Sequence, residues 1–148
     1  MVPPAADDRP VFVYGTLRPG RANWAVAEPW SRRHEPATLP GFGLYALAYP
    51  VVARVDPTEA DTGVVGDLLW LDPPTAAHAL ARLDEFEGVV PGDRARSYYH
   101  RALRPVRTAA GVTHDSWVYL PGDALLAQIR SDRRVPGDDW PDHGERRR

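Results

Sequence analysis

The sequence predicts a single α+β domain, and three observations carry that reading. Five apolar runs of strand length are separated by turn residues. One longer stretch, DPPTAAHALARLDEFEG from Asp72 to Gly88, has the ends and the periodicity of a helix. At 148 residues the chain can hold one core without cross-links, and no repeat or low-complexity linker divides it.

The strand-like runs are Val11–Leu17, Leu44–Val55 with a break near Pro50, Val64–Leu71, Ser97–Arg107 and Val112–Leu120. VVGDLLWL is apolar on both faces, as a strand covered on both sides requires. Gly66 inside it marks a bulge or a close approach of another backbone. Pro121–Ser131 reads as a second, short helix, with Asp123 near its start and Leu125, Leu126 and Ile129 on one side. Residues 1–10 and 137–148 read as tails; the latter, GDDWPDHGERRR, mixes both charges. The expected domain is therefore 11–136.

Composition excludes several function classes. Hydrophobic residues make up 43% and charged residues 26%, ordinary for a globular protein, and no apolar run is long enough to span a membrane. Met1–Pro10 carries Asp7, Asp8 and Arg9 where a secretion signal would be apolar, so a cytoplasmic location is expected. There is no cysteine, hence no disulfide, thiolate nucleophile or zinc–thiolate site. The five histidines show no helical pairing, so no metal is expected. All 18 basic residues are arginine, which with abundant alanine and proline resembles the composition of a high-GC bacterial genome. They are scattered or interleaved with acids, so no stripe for nucleic acid stands out.

The helix contains the oddest feature. Asp72 or Thr75 can cap its start, the prolines sit where a missing N–H costs little, and Gly88 ends it. At about 100° per residue, Ala76, Leu80, Leu83 and Glu87 share one stripe, while His78, Arg82 and Glu85 point away. The core-facing stripe thus ends in a carboxylate. Glu87 is either satisfied structurally, by Arg101, a neighbouring turn or water at a frayed end, or it is a general base. An apolar setting raises a carboxyl pKa towards neutrality, where one group can both take and return a proton. Asp84 and Glu85 lie at other angles and read as exposed.

Glu87 needs surroundings. SYYHR supplies Tyr98, Tyr99 and Arg101, with Tyr99 and Arg101 on one face of a strand; DSWVY supplies Trp117 and Tyr119 on one face of the next. These are core or cross-strand aromatics, or the walls of a site. The early break at Gly15 is a bulge, a strand end, or a loop whose successive amides face an anion. GTLRPGR matches neither G-x-x-x-x-G-K-[ST] nor G-x-G-x-x-G.

Taken in order, the pieces become specific. YGTL at 14–17, with Arg18, Gly20 and Asn23 closely behind, is followed by VVGDLLWLD, by LDEFEG at 83–88, by YYHR at 98–101 and by WVY at 117–119. This series resembles the gamma-glutamylcyclotransferase-like family, including the AIG2-like proteins, from Val11 to Tyr119, about three quarters of the chain. The resemblance implies a small mixed β-barrel flanked by helices around a cavity. It implies an enzyme that cleaves a small-molecule gamma-glutamyl amide into 5-oxoproline and a free amine, a lyase-type cyclotransferase needing no metal or cofactor. The family's catalytic glutamate, in the E-G of LDxFEG, corresponds to Glu87. Its loop amides correspond to Tyr14, Gly15, Thr16 and Leu17, and the tyrosine ending its last barrel strand to Tyr119. With Tyr99 and Arg101 of the Y-x-R, these complete the expected substrate-binding set.

Such chemistry suits the residues, because the substrate's own alpha-amine is the nucleophile and no protein nucleophile is needed. The loop amides would hold the alpha-carboxylate or the developing oxyanion. The arginine-bearing loop GVVPGDRARS after Glu87 lies where it can help select the leaving amine, which is an amino acid, an isopeptide lysine or a secondary metabolite. Residues 23–43 show no transferable pattern. The alternatives are a non-catalytic barrel binding a small acidic or gamma-glutamyl ligand, and an interaction protein using the arginine-rich tail. Nothing in the sequence sets the oligomeric state.

Overall fold

The structure, a computed structural model, describes residues 9–59 and 61–141. The strands are β1 (Val11–Val13), β2 (Ser31–Pro40), β3 (Phe42–Ala46), β4 (Pro50–Arg54), β5 (Gly63–Leu71), β6 (Tyr99–Thr108) and β7 (Thr113–Pro121). The helices are α1 (Trp24–Ala27), α2 (Ala76–Phe86) and α3 (Asp123–Leu126). Among the described residues, five strands close a barrel in the order β1-β5-β2-β6-β7, and β3 and β4 form a separate hairpin. The seam is the parallel pairing of β1 with β7; the other pairings are antiparallel. The expected mixed barrel with flanking helices is therefore the fold.

Alternation along the strands supplies two apolar clusters. Phe12, Leu68 and Val118, in register across β1, β5 and β7, join Leu39, Val64 and Val106 in one. Val11, Val13, Leu69 and Leu71 face the other way and bury the apolar stripe of α2: Ala76, Ala79, Leu80 and Leu83. That packing fixes where the far end of α2 lies against the barrel. Gly66 pairs regularly with Ala37, and a Cβ there would run into the Val13 carbonyl and the Phe12 ring. It marks a close approach; the irregular register of the β2–β5 ladder lies between Ser31 and Arg33.

Several expectations are corrected. The first run is a strand only to Val13, because Gly15–Leu17 turn away. The break expected near Pro50 is present: Leu44–Val55 spans a hairpin whose second strand starts at Pro50. β2 lies in the stretch without a legible pattern: its first half is polar and exposed, and it is held across the ladder instead. Arg33 stacks on the Trp70 ring at 4.5 Å, and Trp70 Nε1 donates to Glu35 Oε2 at 2.7 Å. Neither Asp72 nor Thr75 caps α2 with its side chain; a 3₁₀ turn at Pro73–Thr75 leads into it through backbone bonds. In Pro121–Ser131 only Asp123–Leu126 is α-helical.

The tails are shorter than expected. Pro10 is buried and its carbonyl accepts from Trp117 N–H at 2.9 Å. From 137 onward, Asp138 is buried, accepting from Leu44 N–H at 3.0 Å and pairing with Arg134, and Trp140 packs against the core. Residues 1–8 and 142–148 of the expected tails lie outside the described residues.

Candidate active site

α2 ends in a way that determines where Glu87 can go. Glu87 is its C-cap, Gly88 follows at φ +70°, and the amides of Val89 and Gly88 return to the carbonyls of Asp84 (3.0 Å) and Glu85 (3.2 Å). This is the paired-bond termination that calls for glycine after the cap. Gly88 is constrained a second time, since a Cβ there would sit 2.7 Å from the Tyr98 ring. Glu87 is thus the last residue held by the helix, half-buried, and its exposed part opens into a cavity of about 330 Å³.

The cavity runs from a closed inner end to an open mouth. Its inner wall carries the buried residues Tyr14, Leu17, Tyr99 and Tyr119; its mouth carries the exposed rings of Tyr49, Phe86 and Tyr98. Each inner phenol already donates its proton. Tyr14 Oη donates to the Tyr119 carbonyl at 2.5 Å, Tyr119 Oη to Asp84 Oδ1 at 2.6 Å, and Tyr99 Oη to the Pro50 carbonyl at 2.7 Å. Burial is the largest reason that all three phenols resist ionisation, and the nearby Glu87 charge adds to it. They keep their protons at any physiological pH.

Glu87 is the carboxyl of the described lining. Its carboxyl accepts no hydrogen bond from the described residues, and its pKa is pushed from 4.5 up to about 8, first by burial and then by the charge of Asp84. The end of α2, where carbonyls converge, acts in the same direction. Asp84, read as exposed from the sequence, is half-buried and fully engaged. Arg101 grips it in a fork, Nε donating to Oδ1 at 2.8 Å and Nη2 to Oδ2 at 3.1 Å, and the Tyr119 hydroxyl donates to the same Oδ1.

The loop after β1 forms the other wall. It turns through Arg18 N–H to the Gly15 carbonyl (3.1 Å) and Asn23 N–H to the Thr16 carbonyl (2.9 Å), with Asn23 Nδ2 on Thr16 Oγ1 at 2.8 Å. The amides of Gly15, Thr16 and Leu17 donate to no acceptor among the described residues. Gly15 is glycine for space: a Cβ would lie 2.6 Å from Pro50 Cγ, at the turn of the β3–β4 hairpin.

The sequence and the fold both have counterparts among known proteins. The sequence matches the family model described as gamma-glutamyl cyclotransferase, AIG2-like, over residues 11–142. The chain belongs to that family.

Solved structures resemble this gamma-glutamyl cyclotransferase, AIG2-like chain in fold. YkqA from Bacillus subtilis is 23% identical with a TM-score of 0.62, over 90% of this chain and 40% of its own. The present chain therefore spans well under half the length of that relative. A protein from Arabidopsis thaliana matches at 19% identity and TM-score 0.59, over 94% of this chain and 80% of its own. An uncharacterized protein from Pyrococcus horikoshii matches at 17% and 0.58, over 88% of both chains. A comparison with curated proteins finds no match.

Seven of the eight residues singled out in the sequence line one cavity: Glu87, Tyr14, Gly15, Thr16, Leu17, Tyr99 and Tyr119. Arg101 does not. It stacks on Trp117 at 4.3 Å, pairs with Asp84, and borders a separate polar groove with Arg94, His100 and Asp123. It is therefore not the partner of Glu87 either. Sequence reasoning missed Tyr49, Pro50, Phe86 and Trp140 in the lining. The available signals were an aromatic–proline pair between two strand runs and a tryptophan inside a charged stretch. Among the described residues no cluster of histidine, aspartate and glutamate is arranged to hold a metal ion, and no helix is long and apolar enough to cross a membrane.

Proposed function

We propose that this chain is a gamma-glutamyl amide cyclotransferase with Glu87 as general acid and base. The observation that carries the proposal is the Glu87 carboxyl itself: no hydrogen-bond partner among the described residues, a pKa near 8, and a cavity in front of it. A structural carboxylate would be paired; Asp84, three residues earlier, is.

The reaction needs little else. The substrate enters as an ammonium, and ionised Glu87 takes one proton from it. The freed alpha-amine attacks the gamma-carbonyl, forming the C–N bond of a five-membered ring. As the tetrahedral intermediate collapses, the bond to the leaving nitrogen breaks and Glu87 gives its proton to that nitrogen; the emptied carboxylate then takes the second proton from the cationic ring nitrogen and passes it to the released amine, which departs as an ammonium. The products are 5-oxoproline and a free amine. The unoccupied amide donors of Gly15, Thr16 and Leu17 receive negative charge, from either the alpha-carboxylate or the oxyanion. The tyrosines, with their protons committed, form a dry wall and offer only lone pairs.

The test is a panel of gamma-glutamyl amides assayed for 5-oxoproline, with Glu87→Gln alongside. Turnover by the native chain and its loss in Glu87→Gln is the expected result. Absence of product across a broad panel favours a binding barrel, and undiminished product in Glu87→Gln removes Glu87 from the mechanism.

A further inference from the structure

We infer that the leaving half of the substrate is an amine that carries an apolar aromatic ring and no carboxylate, held at the mouth by Tyr49, Tyr98 and Phe86. This rests on the cyclotransferase reading, which assigns the inner end of the cavity to the glutamyl group and leaves the mouth to the amine.

Three observations support the assignment. First, the mouth gathers rings that would otherwise be buried. Tyr49, Phe86 and Tyr98 are 50%, 43% and 59% exposed, and they are three of the five large hydrophobic side chains so exposed among the described residues. Such convergence on one opening marks a contact surface for a ligand. Second, the rings come from three separate elements: the β3–β4 turn, the end of α2 and the segment before β6. Tyr49 and Tyr98 already stand edge-to-face, with centroids 6.1 Å apart, the geometry in which a third ring is readily accommodated.

Third, the described lining holds no cation that could receive a second carboxylate. Glu87 is its one carboxylate, and no arginine belongs to it. The arginines nearest in sequence to the loop are engaged: Arg18 with Asp67 at 2.8 Å and Asp139 at 2.9 Å, and Arg21 with the Trp140 carbonyl at 2.9 Å. A leaving amino acid would bring a carboxylate towards Glu87 and Asp84 with no cation to receive it, an unfavourable placement. A benzyl or phenethyl group instead covers the exposed rings.

The experiment uses the purified full chain and four substrates: gamma-glutamylmethylamide, gamma-glutamylphenethylamide, gamma-glutamylalanine and gamma-glutamylputrescine. The phenethylamide is expected to exceed the methylamide and the alanine conjugate by about tenfold in kcat/KM, the size of an added aromatic contact. In Tyr98→Ala and Tyr49→Ala the ratio of phenethylamide to methylamide should fall towards one, and in Tyr98→Phe it should persist. N-acetylphenethylamine, uncharged and without a glutamyl group, should shift the ring NMR signals of Tyr49 and Tyr98. Methylamide turnover with a ratio near one overturns the inference and leaves the cyclotransferase reading intact, as does preference for the alanine or putrescine conjugate. Ring shifts without turnover of any amide keep the aromatic subsite and sink the cyclotransferase reading. Neither turnover nor shifts overturns both.

Discussion

Asp84 and Glu87 stand one turn apart at the end of α2, yet only Asp84 has its negative charge matched. Arg101 and the Tyr119 hydroxyl both bind it, whereas Glu87 faces the cavity without a donor among the described residues. Two carboxyls with one cation between them is an arrangement in which the second holds its proton. In the proposed mechanism this difference separates a structural acid, Asp84, from the proton carrier, Glu87.

Glu87→Gln should abolish most activity and stabilise the fold at high pH. The folded pKa of about 8 exceeds the ordinary 4.5, so between those values the folded chain binds the proton that the unfolded chain releases. Native stability therefore falls as pH rises through this window, a slope that glutamine lacks. Relative to the native chain the variant should gain up to about 4 kcal/mol between pH 5 and pH 9, less to the extent that water reaches the half-buried carboxyl. Thermal melts across that range check the sign, and 5-oxoproline assays should show a loss of about a hundredfold or more.

Asp84→Asn should move the pH–rate profile to lower pH. With ionised Glu87 as the proposed base, kcat/KM of the native chain should rise with pH and level off above about 8. Removing the Asp84 charge favours the Glu87 anion and brings the rise down, while asparagine still accepts from Tyr119. Relative to its own plateau, the variant should be about threefold more active than the native chain at pH 6.5. An unshifted profile would show that burial alone sets the Glu87 pKa.

The helix and its terminal carboxylate were legible in the sequence because both rest on local rules: periodicity, and glycine after a cap. The five strand runs with clear apolar content were legible for the same reason. β2 was not, because its polar half is held by Arg33 and Glu35 against Trp70, a cross-strand contact no local pattern encodes. Asp84 was misjudged because its angle on the helix wheel says nothing of Arg101, 17 residues on. The cavity's inner wall could be assembled from YGTL, the E-G pair and two strand tyrosines. Its mouth could not, since Tyr49 and Trp140 reach it through a hairpin turn and a C-terminal segment whose placements are tertiary.

Gly15→Ala tests why the first strand ends where it does. The new methyl would meet Pro50 Cγ at 2.6 Å, and a proline ring has no flexible end to move aside. The shift passes to the Pro50 carbonyl that holds Tyr99 Oη, and to Tyr49 beside it. The expected loss is about 1–3 kcal/mol of stability with a raised KM, measured by denaturant unfolding and steady-state kinetics. A variant as stable as the native chain would mean that the hairpin turn is not packed on the loop.

Asp138→Ala should detach the C-terminal segment from the hairpin. Asp138 sits at φ +53°, a conformation aspartate and asparagine tolerate better than alanine, and its Oδ1 accepts from Leu44 N–H at 3.0 Å and Arg134 Nε at 2.6 Å. Arg134 fits there because Gly43 leaves room for its guanidinium, and it also reaches Glu59 at 3.1 Å. Alanine would leave the Leu44 amide without its acceptor and Arg134 with Glu59 alone, at about 2–4 kcal/mol. Asp138→Asn keeps the backbone conformation and an acceptor for Leu44, so it should lose less than half as much. Because Trp140 lines the cavity two residues later, its fluorescence should report solvent exposure in Asp138→Ala before global unfolding. Coincident fluorescence and circular-dichroism transitions would show instead that the segment unfolds only with the barrel.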